Sequence, residues 1–509
     1  MKDPMNLPMA AYPPELKILT NAAKERVLAA QKAQDYYDGK FWRYIEAQVA
    51  EWSEGDLNIH QEVHDYPSDS RKSNNTKYTP SKLQLRYPKF FIDEIASWMF
   101  ENPIGLDAED ENAYQVLEQV HRDNKLDQKL LQSAGEGSLT GGIAVKVLWN
   151  PMLNKIRTIF RPSRECFPIM NADDVDIMEK VHFCSFQDDE KTIWRQTFEL
   201  RSISGKTVCW VTEALFNVED LGESADPKPR EILFDGPLYK DNKPIDFLPV
   251  TLIPNEPNLG EIWGKSDLEP LYDPINEVCR KMSDQADALK FELFPIALLL
   301  NIDESNTDEF EVSPGAVWKL MSGDENHPAD AKKLESTLGS MAALEAYVDR
   351  LLGEIHQFSG VPNITRDKID TTGAISGVAI KLMFTSIVSK CNRKMMYWGP
   401  GLEEVYTNVL KTAQVYEGLK YDPDKLGMKI KTTPRIPQNE LELLEIQAKE
   451  IEMLVKSVVT IMKERGVQNP EEELAKILAE RTQIDASFNP DLTGSRIAAE
   501  AAAPPAPGL

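Results

Sequence analysis

Two stretches of this sequence repeat apolar residues at steps of three and four, and only a short interval separates them. The first runs through Leu268, Leu271, Ile275, Val278, Met282, Ala286 and Leu289. The second runs through Leu334, Leu338, Met341, Leu344, Val348, Leu351, Ile355 and Phe358. Steps of that size put each set of side chains on one face of a helix. A helix with one apolar face is marginal alone, so the two are expected to pack on each other, with the interval between them at one end of the pair. Ser266-Asp267-Leu268-Glu269 has capping-box spacing, which predicts a helix over 266–292; Pro274 either kinks it or, with Asp273 as cap, starts it. From Pro274 to Phe291 it would span roughly 27 Å at 1.5 Å per residue. The second helix is predicted over 334–358. Between them, 293–333 reads as a small insert with strands at 296–302 and 316–320 separated by acidic turns.

The chain before these helices mixes both kinds of signal. Leu19, Ala22, Val27 and Ala30 recur helically within 16–48, with Gly39 as a stop. Residues 51–81 are polar and aperiodic and read as a surface excursion. From Tyr87 to Phe100 an apolar face of Phe90, Phe91, Ile95, Trp98 and Met99 predicts a core helix. Asn102-Pro103 closes it, because the residue before proline avoids helical backbone. Another helix is predicted over 113–134, leading through Gly135-Glu136-Gly137 and Gly141-Gly142 to strands at 143–149, 156–160, 181–186, 193–204, 207–214 and 248–253. After the helix pair comes a polar loop, then a helix over 375–397 that Gly399-Pro400-Gly401 interrupts, then another to about 417. Residues 428–431 alternate and predict a late strand rejoining the body. Helices over 440–465 and from Asn469-Pro470 form a hairpin, and the Ala/Pro-rich 498–509 is expected to be disordered. The sum is an α+β chain, predominantly helical.

Charge narrows the function. There are 82 acids against 57 bases, a net charge of −25, which excludes a protein that coats nucleic acid by releasing counterions. Cys166, Cys184, Cys209, Cys279 and Cys391 stand singly with no C-x-x-C, so neither a zinc ribbon nor a disulfide framework is encoded, and a reducing compartment fits. The first 15 residues hold four prolines, and the longest apolar run is only Phe294 to Leu300; no secretion signal or membrane span is expected.

Three motifs resemble chemistry and lack its context. Gly264-Lys265-Ser266 matches the end of a phosphate-binding loop, but Leu259 stands where the first glycine belongs. Gly135-x-Gly137 with Gly141-Gly142 follows a helix, the reverse of the dinucleotide order. His60 and His64 lie four apart in a polar segment, with Glu62 out of the zinc-protease position. The reading is therefore not an enzyme, with no metal and no cofactor. The rival is a nucleotide-binding enzyme using Gly264-Lys265-Ser266. Basic residues cluster once, at Lys381, Lys390, Arg393 and Lys394 on the helix after the polar loop, where Arg366 and Lys368 are balanced by Asp367 and Asp370.

An ordered set of short stretches then resembles one family. These are Tyr36-Tyr37-Asp38-Gly39; Phe91 to Phe100 leading to Asn102-Pro103-Ile104; Gly141-Gly142 before a strand; Arg161-Pro162 with Phe167; Leu248-Pro249-Val250 through Asn255; Gly264 to Leu268 followed by Asp273-Pro274-Ile275-Asn276; and Ser376-Gly377-Val378-Ala379-Ile380-Lys381. The set resembles the portal proteins of tailed bacteriophages, of siphophage type. Gly399-Pro400-Gly401 departs from it, since the family often continues that helix.

The resemblance implies a portal fold with wing, stem, clip and crown, in a ring of usually twelve copies at one capsid vertex, with DNA passing through. By position, 1–265 with the late strand near 428–434 corresponds to the wing, 266–292 and 334–358 to the stem, and 293–333 to the clip. Residues 359–374 correspond to the tunnel loop, 375–420 to the tunnel helix and return to the wing, 435–485 to a helical crown, and 486–509 to a disordered tail. The DNA-facing loop would be Pro362, Asn363, Ile364, Thr365, Arg366, Asp367, Lys368, Ile369 and Asp370, backed by Lys381, Lys390, Arg393 and Lys394. Stem packing would use Leu271, Ile275, Val278, Met282, Leu344, Val348, Leu351 and Ile355. Implied partners are further copies of the chain, double-stranded DNA, the large terminase subunit, major capsid and scaffolding proteins and a head-completion adaptor, with no membrane. The implied location is the virion, after assembly in the host cytoplasm.

Overall fold

The computed structural model describes residues 20–47, 81–108, 110–187, 191–203, 205–217, 228–240, 243–293, 297–300, 330–333, 341–363, 382–421, 429–431, 440–465 and 469–488. The chain separates into two compact units: residues 1–369 with 384–435, and residues 370–383 with 436–509.

The first unit is built on two antiparallel sheets and a layer of helices. Helix α1 (Thr20–Asp38) ends at Gly39, and its Tyr36 is fully buried, stacked on Phe41 with ring centres 4.7 Å apart. Helix α2 (Tyr87–Phe100) buries Phe91, Ile92, Ile95, Trp98 and Met99, as its spacing predicts; Phe90, counted on that face, is instead 46% exposed. The helix predicted over 113–134 is two helices. Lys125 adopts a left-handed backbone, φ 52°, and separates α3 (Glu111–Asn124) from α4 (Leu126–Thr140). Asp110 caps α3, accepting from Ala113 N at 3.0 Å. Helix α4 runs through Gly135 and Gly137 because both lie where another element comes close: a Cβ on Gly137 would sit 3.2 Å from Ile143 Cγ1. It ends at Gly141, whose φ of +88° few other residues adopt.

Strand β2 (Gly142–Asn150) lies between β3 (Lys155–Pro162) and β11 (Val250–Pro254). Its alternation is buried on both sides, which is why it reads as an apolar strand. Ile143, Val145 and Val147 face the core shared with the helices; Ala144 faces a second core against the larger sheet. That sheet has the order β4 (Cys166–Met170), β5 (Met178–Phe186), β6 (Thr192–Ile203), β7 (Lys206–Asn217) and β8 (Glu231–Pro237). The short β9 (Tyr239–Lys240) and β10 (Lys243–Pro244) then pair antiparallel with each other. Val181, Phe183, Phe198, Cys209 and Val211 fill the space between the sheets. Phe167, Cys184, Ile193, Ala214 and Phe216 pack against Val27 of α1 on the far side. Strand β8 is not among the strands expected from sequence; it leaves Glu231 to Asp235 exposed, Ile232, Leu233 and Phe234 among them. All five cysteines are buried and free.

Three further differences from the sequence expectations have local causes. Helix α5 (Tyr272–Leu293) starts after a short helical turn rather than at a capping box. Ser266 spends its hydroxyl on Leu268 N at 3.2 Å and its carbonyl on Glu269 N at 3.1 Å. Strand β12 (Ala297–Leu300) pairs antiparallel with β13 (Asp330–Lys333), a segment whose polar sequence carries no strand pattern; residues 316–320 lie outside the described ones. Helix α7 (Thr385–Tyr416) passes through Pro400 unbroken. Proline removes one bond, to the carbonyl of Met396, and that turn is solvent-facing, with Met396 73% exposed, the side of a helix on which a missing donor costs least. Gly401 on the opposite side lies against Ile253 of β11, only 2.7 Å from where a Cβ would sit. Strand β14 (Lys429–Lys431) pairs antiparallel with β1 (Gly105–Asp107). Residues 51–80 lie outside the described ones, as do His60 and His64.

The second unit contains α8 (Glu440–Glu452), α9 (Val458–Glu464) and α10 (Pro470–Phe488). The helix expected over 440–465 breaks where Leu454 takes φ 57° and Val455 N folds back to Glu450 O at 2.9 Å. Arg465 donates to Gln447, holding the end of α9 on α8.

Candidate functional site

The two amphipathic stripes do meet. Helix α6 (Met341–Ser359) packs along α5 in the first unit's main core. Leu271, Ile275 and Val278 are buried there with Val348 and Ile355, and Met282, Leu344 and Leu351 pack against them half-buried. Covering apolar surface at about 25 cal/mol per Å² holds such a pair together. Residues ahead of α2 strap α5 from outside: Leu83 N donates to Ser283 Oγ at 3.0 Å, and Ser81 N to the Asp287 carboxylate at 3.0 and 3.1 Å.

The chain leaves α6 through a turn fixed on α7. Ser359 Oγ donates to His356 O at 2.9 Å and accepts from Val361 N at 3.1 Å; Val361 is buried. Gly360 turns at φ +76°, and its carbonyl accepts from Ser386 Oγ at 3.0 Å.

A buried charge cluster lies beside this turn. Lys394, 1% exposed, places Nζ 2.7 Å from Asp267 and 3.0 Å from Ser138 Oγ, and also bonds Asn255 Oδ1. Lys390 Nζ is 3.6 Å from the same carboxylate and donates to Ser359 O at 3.0 Å. Burial opposes ionisation of Asp267, yet the two lysines outweigh it and hold its carboxyl below the ordinary range. Burial pushes the Lys394 ammonium down, with Asp267 opposing. Asn255 closes the cluster, donating to Lys265 O at 2.8 Å. These groups come from α4, the residue after β11, the chain entering α5, the end of α6, and α7.

The sequence model for phage portal proteins, SPP1 Gp6-like, matches residues 16–486. The chain belongs to that family. A comparison with curated proteins finds no match. Among solved structures the chain is similar to a protein of the virion of a native gene transfer agent particle, at 11% identity and a TM-score of 0.36, over 75% of this chain and 89% of that one.

For this portal-family chain the basic cluster read from sequence is corrected. Lys390 and Lys394 lie on the buried stripe of α7 with Ile387, Cys391 and Trp398, and neither presents its charge to solvent. Arg393 points the other way and pairs with Glu256 at 3.0 Å, its side chain 55% exposed. Lys381 lies outside the described residues, as do Ile364, Thr365, Arg366, Asp367, Lys368, Ile369 and Asp370; Pro362 and Asn363 are half-buried. The signal that finds the cluster is the 387, 390, 391, 394, 398 spacing, which puts two lysines on an apolar stripe and so requires a buried acid.

The nucleotide-binding alternative has no support. In and just after Gly264-Lys265-Ser266, three amides are already bonded within the fold: Gly264 N to Gly141 O at 2.9 Å, Asp267 N to Ser138 O at 2.9 Å and Leu268 N to Ser266 Oγ. Lys265 pairs with Glu269 at 3.1 Å. Gly264 is there because the Asn255 carbonyl occupies the space of a Cβ, at 1.7 Å.

Proposed function

We propose that the chain closes with identical copies into a ring, at one vertex of a capsid, whose bore passes duplex DNA during packaging and ejection. The match to the portal family over 16–486 carries this reading. In it the α5–α6 pair forms the stem, β12 and β13 belong to the clip, and the chain after Val361 leads into the tunnel loop. The motor is a separate ATPase, the large terminase subunit, docked at the clip; capsid, scaffolding and head-completion proteins contact other faces. The protein itself performs no catalysis and takes no cofactor.

Charge supports a conduit over a clamp. Twelve copies carry about −300 formal charges, while duplex DNA carries one negative charge per roughly 1.7 Å of axis. A phosphate contact would have to be broken at every advance, so a wall that repels lets the duplex slide. The two buried lysines remove further positive charge from any surface DNA could meet.

Negative-stain images and native mass of the purified chain test the assembly. Closed rings with a central hole, at an integral multiple of 57.5 kDa, are expected. Single 57.5 kDa chains in every buffer would remove the reading.

A further inference from the structure

Lys390 sits where three parts of the first unit meet. Its own helix, α7, contributes the side chain. The exit of α6 contributes the Ser359 carbonyl at 3.0 Å, and the entry to α5 contributes Asp267 at 3.6 Å. A carbonyl at a helix C-terminus has no partner within its helix and favours a cation. The lysine's stem fills the space over Gly360, where a Cβ would come 3.3 Å from Lys390 Cδ. Ser386, one turn earlier on α7, takes the next carbonyl, Gly360 O, at 3.0 Å. Asp267 is itself fixed by Lys394 and by its own amide on Ser138 O, so Lys390 reaches from an anchored acid to the end of α6.

We propose that Lys390 is a positioning residue that ties the exit of α6 to the entry of α5, so that the chain from Val361 onward keeps its place at the base of the helix pair. In a portal ring this would hold the root of the tunnel loop while DNA passes. That consequence rests on the proposed function; the tie itself does not.

Amide hydrogen exchange on the full-length protein tests it, comparing wild type with Lys390→Met, alongside ring formation and packaged DNA. The amides of Gly360 and Val361 are expected to exchange about tenfold or more faster in the variant, as loss of a charge-assisted bond implies. Those of α2 and α5 should keep their rates, rings should form, and packaging should fall. Unchanged exchange at 360–361, or an equal rise throughout the unit, would overturn the proposal. If Lys390→Met yields no folded protein, Lys390→Gln, which keeps a shorter N–H donor, is read in the same assay with the same two outcomes. Loss of rings from the wild type would defeat the portal reading and leave the exchange result interpretable.

Discussion

Two of the lysines buried in the first unit, Lys146 and Lys394, are accommodated in different ways. Lys146, on β2 between the sheets, is 2% exposed and donates to Gln196 Oε1 at 2.8 Å. Its ammonium lies 4.5 Å from the centre of the Phe183 ring and 5.0 Å from that of Trp194. Lys394, on α7, is equally enclosed but rests against a carboxylate. An amide and aromatic faces tolerate an uncharged side chain; a buried carboxylate does not. The two sites thus share burial and differ in what is stranded when the lysine is removed.

The largest effect expected from that difference is Lys394→Met. It leaves Asp267, with 11% side-chain exposure, facing Lys390 at 3.6 Å and Asn255 Nδ2 at 3.4 Å among the described residues. Breaking one side of a buried pair costs about 3–5 kcal/mol, read from the urea midpoint of the isolated subunit. Adding Asp267→Asn removes the stranded charge and should recover part of the loss. A double variant as unstable as the sum of the single ones would show that the pair is not coupled.

An intermediate effect comes from pH. Burial, with Arg161 adding to it and Glu213 and Glu165 opposing, pushes the Lys146 ammonium down to about 8. Below about pH 8 folded and unfolded states are both protonated. Between there and the ordinary lysine range, near 10.4, the unfolded state holds the extra proton, so this group makes stability rise with pH by up to about 1.4 kcal/mol per unit. Lys146→Met should lose that rise relative to wild type. At pH 7 it should not destabilise the fold, because it removes a charge that burial disfavours and methionine suits the aromatic faces, against the one bond lost to Gln196. A loss as large as that of Lys394→Met would erase the distinction between the sites.

What the sequence showed of all this follows from where the signals lie. The stripes of α5 and α6, the α2 core face and the alternation of β2 were legible because apolar spacing reports burial directly. The break at Lys125 was not, since a left-handed lysine carries no mark of its own. Pro400 misled because the penalty of a proline depends on whether water reaches the freed carbonyl, a property of the tertiary face. Lys390 and Lys394 misled most: in one dimension a lysine counts as surface, and Asp267, which reverses that, lies more than a hundred residues earlier. Strand β13 was invisible because its pairing uses backbone, and its Asp-Ala-Lys-Lys sequence offers no pattern.

The smallest effect expected is at Arg393, one position before Lys394 and on the solvent side of the same helix. Its guanidinium meets Glu256 at 3.0 Å, with side-chain exposures of 55% and 31%. Water screens such a pair and either partner is rehydrated when the other is removed, so Arg393→Ala should shift stability by no more than about 0.5 kcal/mol. The neighbouring residue on the buried side should cost several times more. With folding left intact, any fall in packaged DNA for Arg393→Ala would report a contact made outside the subunit. An unfolding midpoint displaced as far as that of Lys394→Met would instead show that side-chain burial is not what separates these two cations.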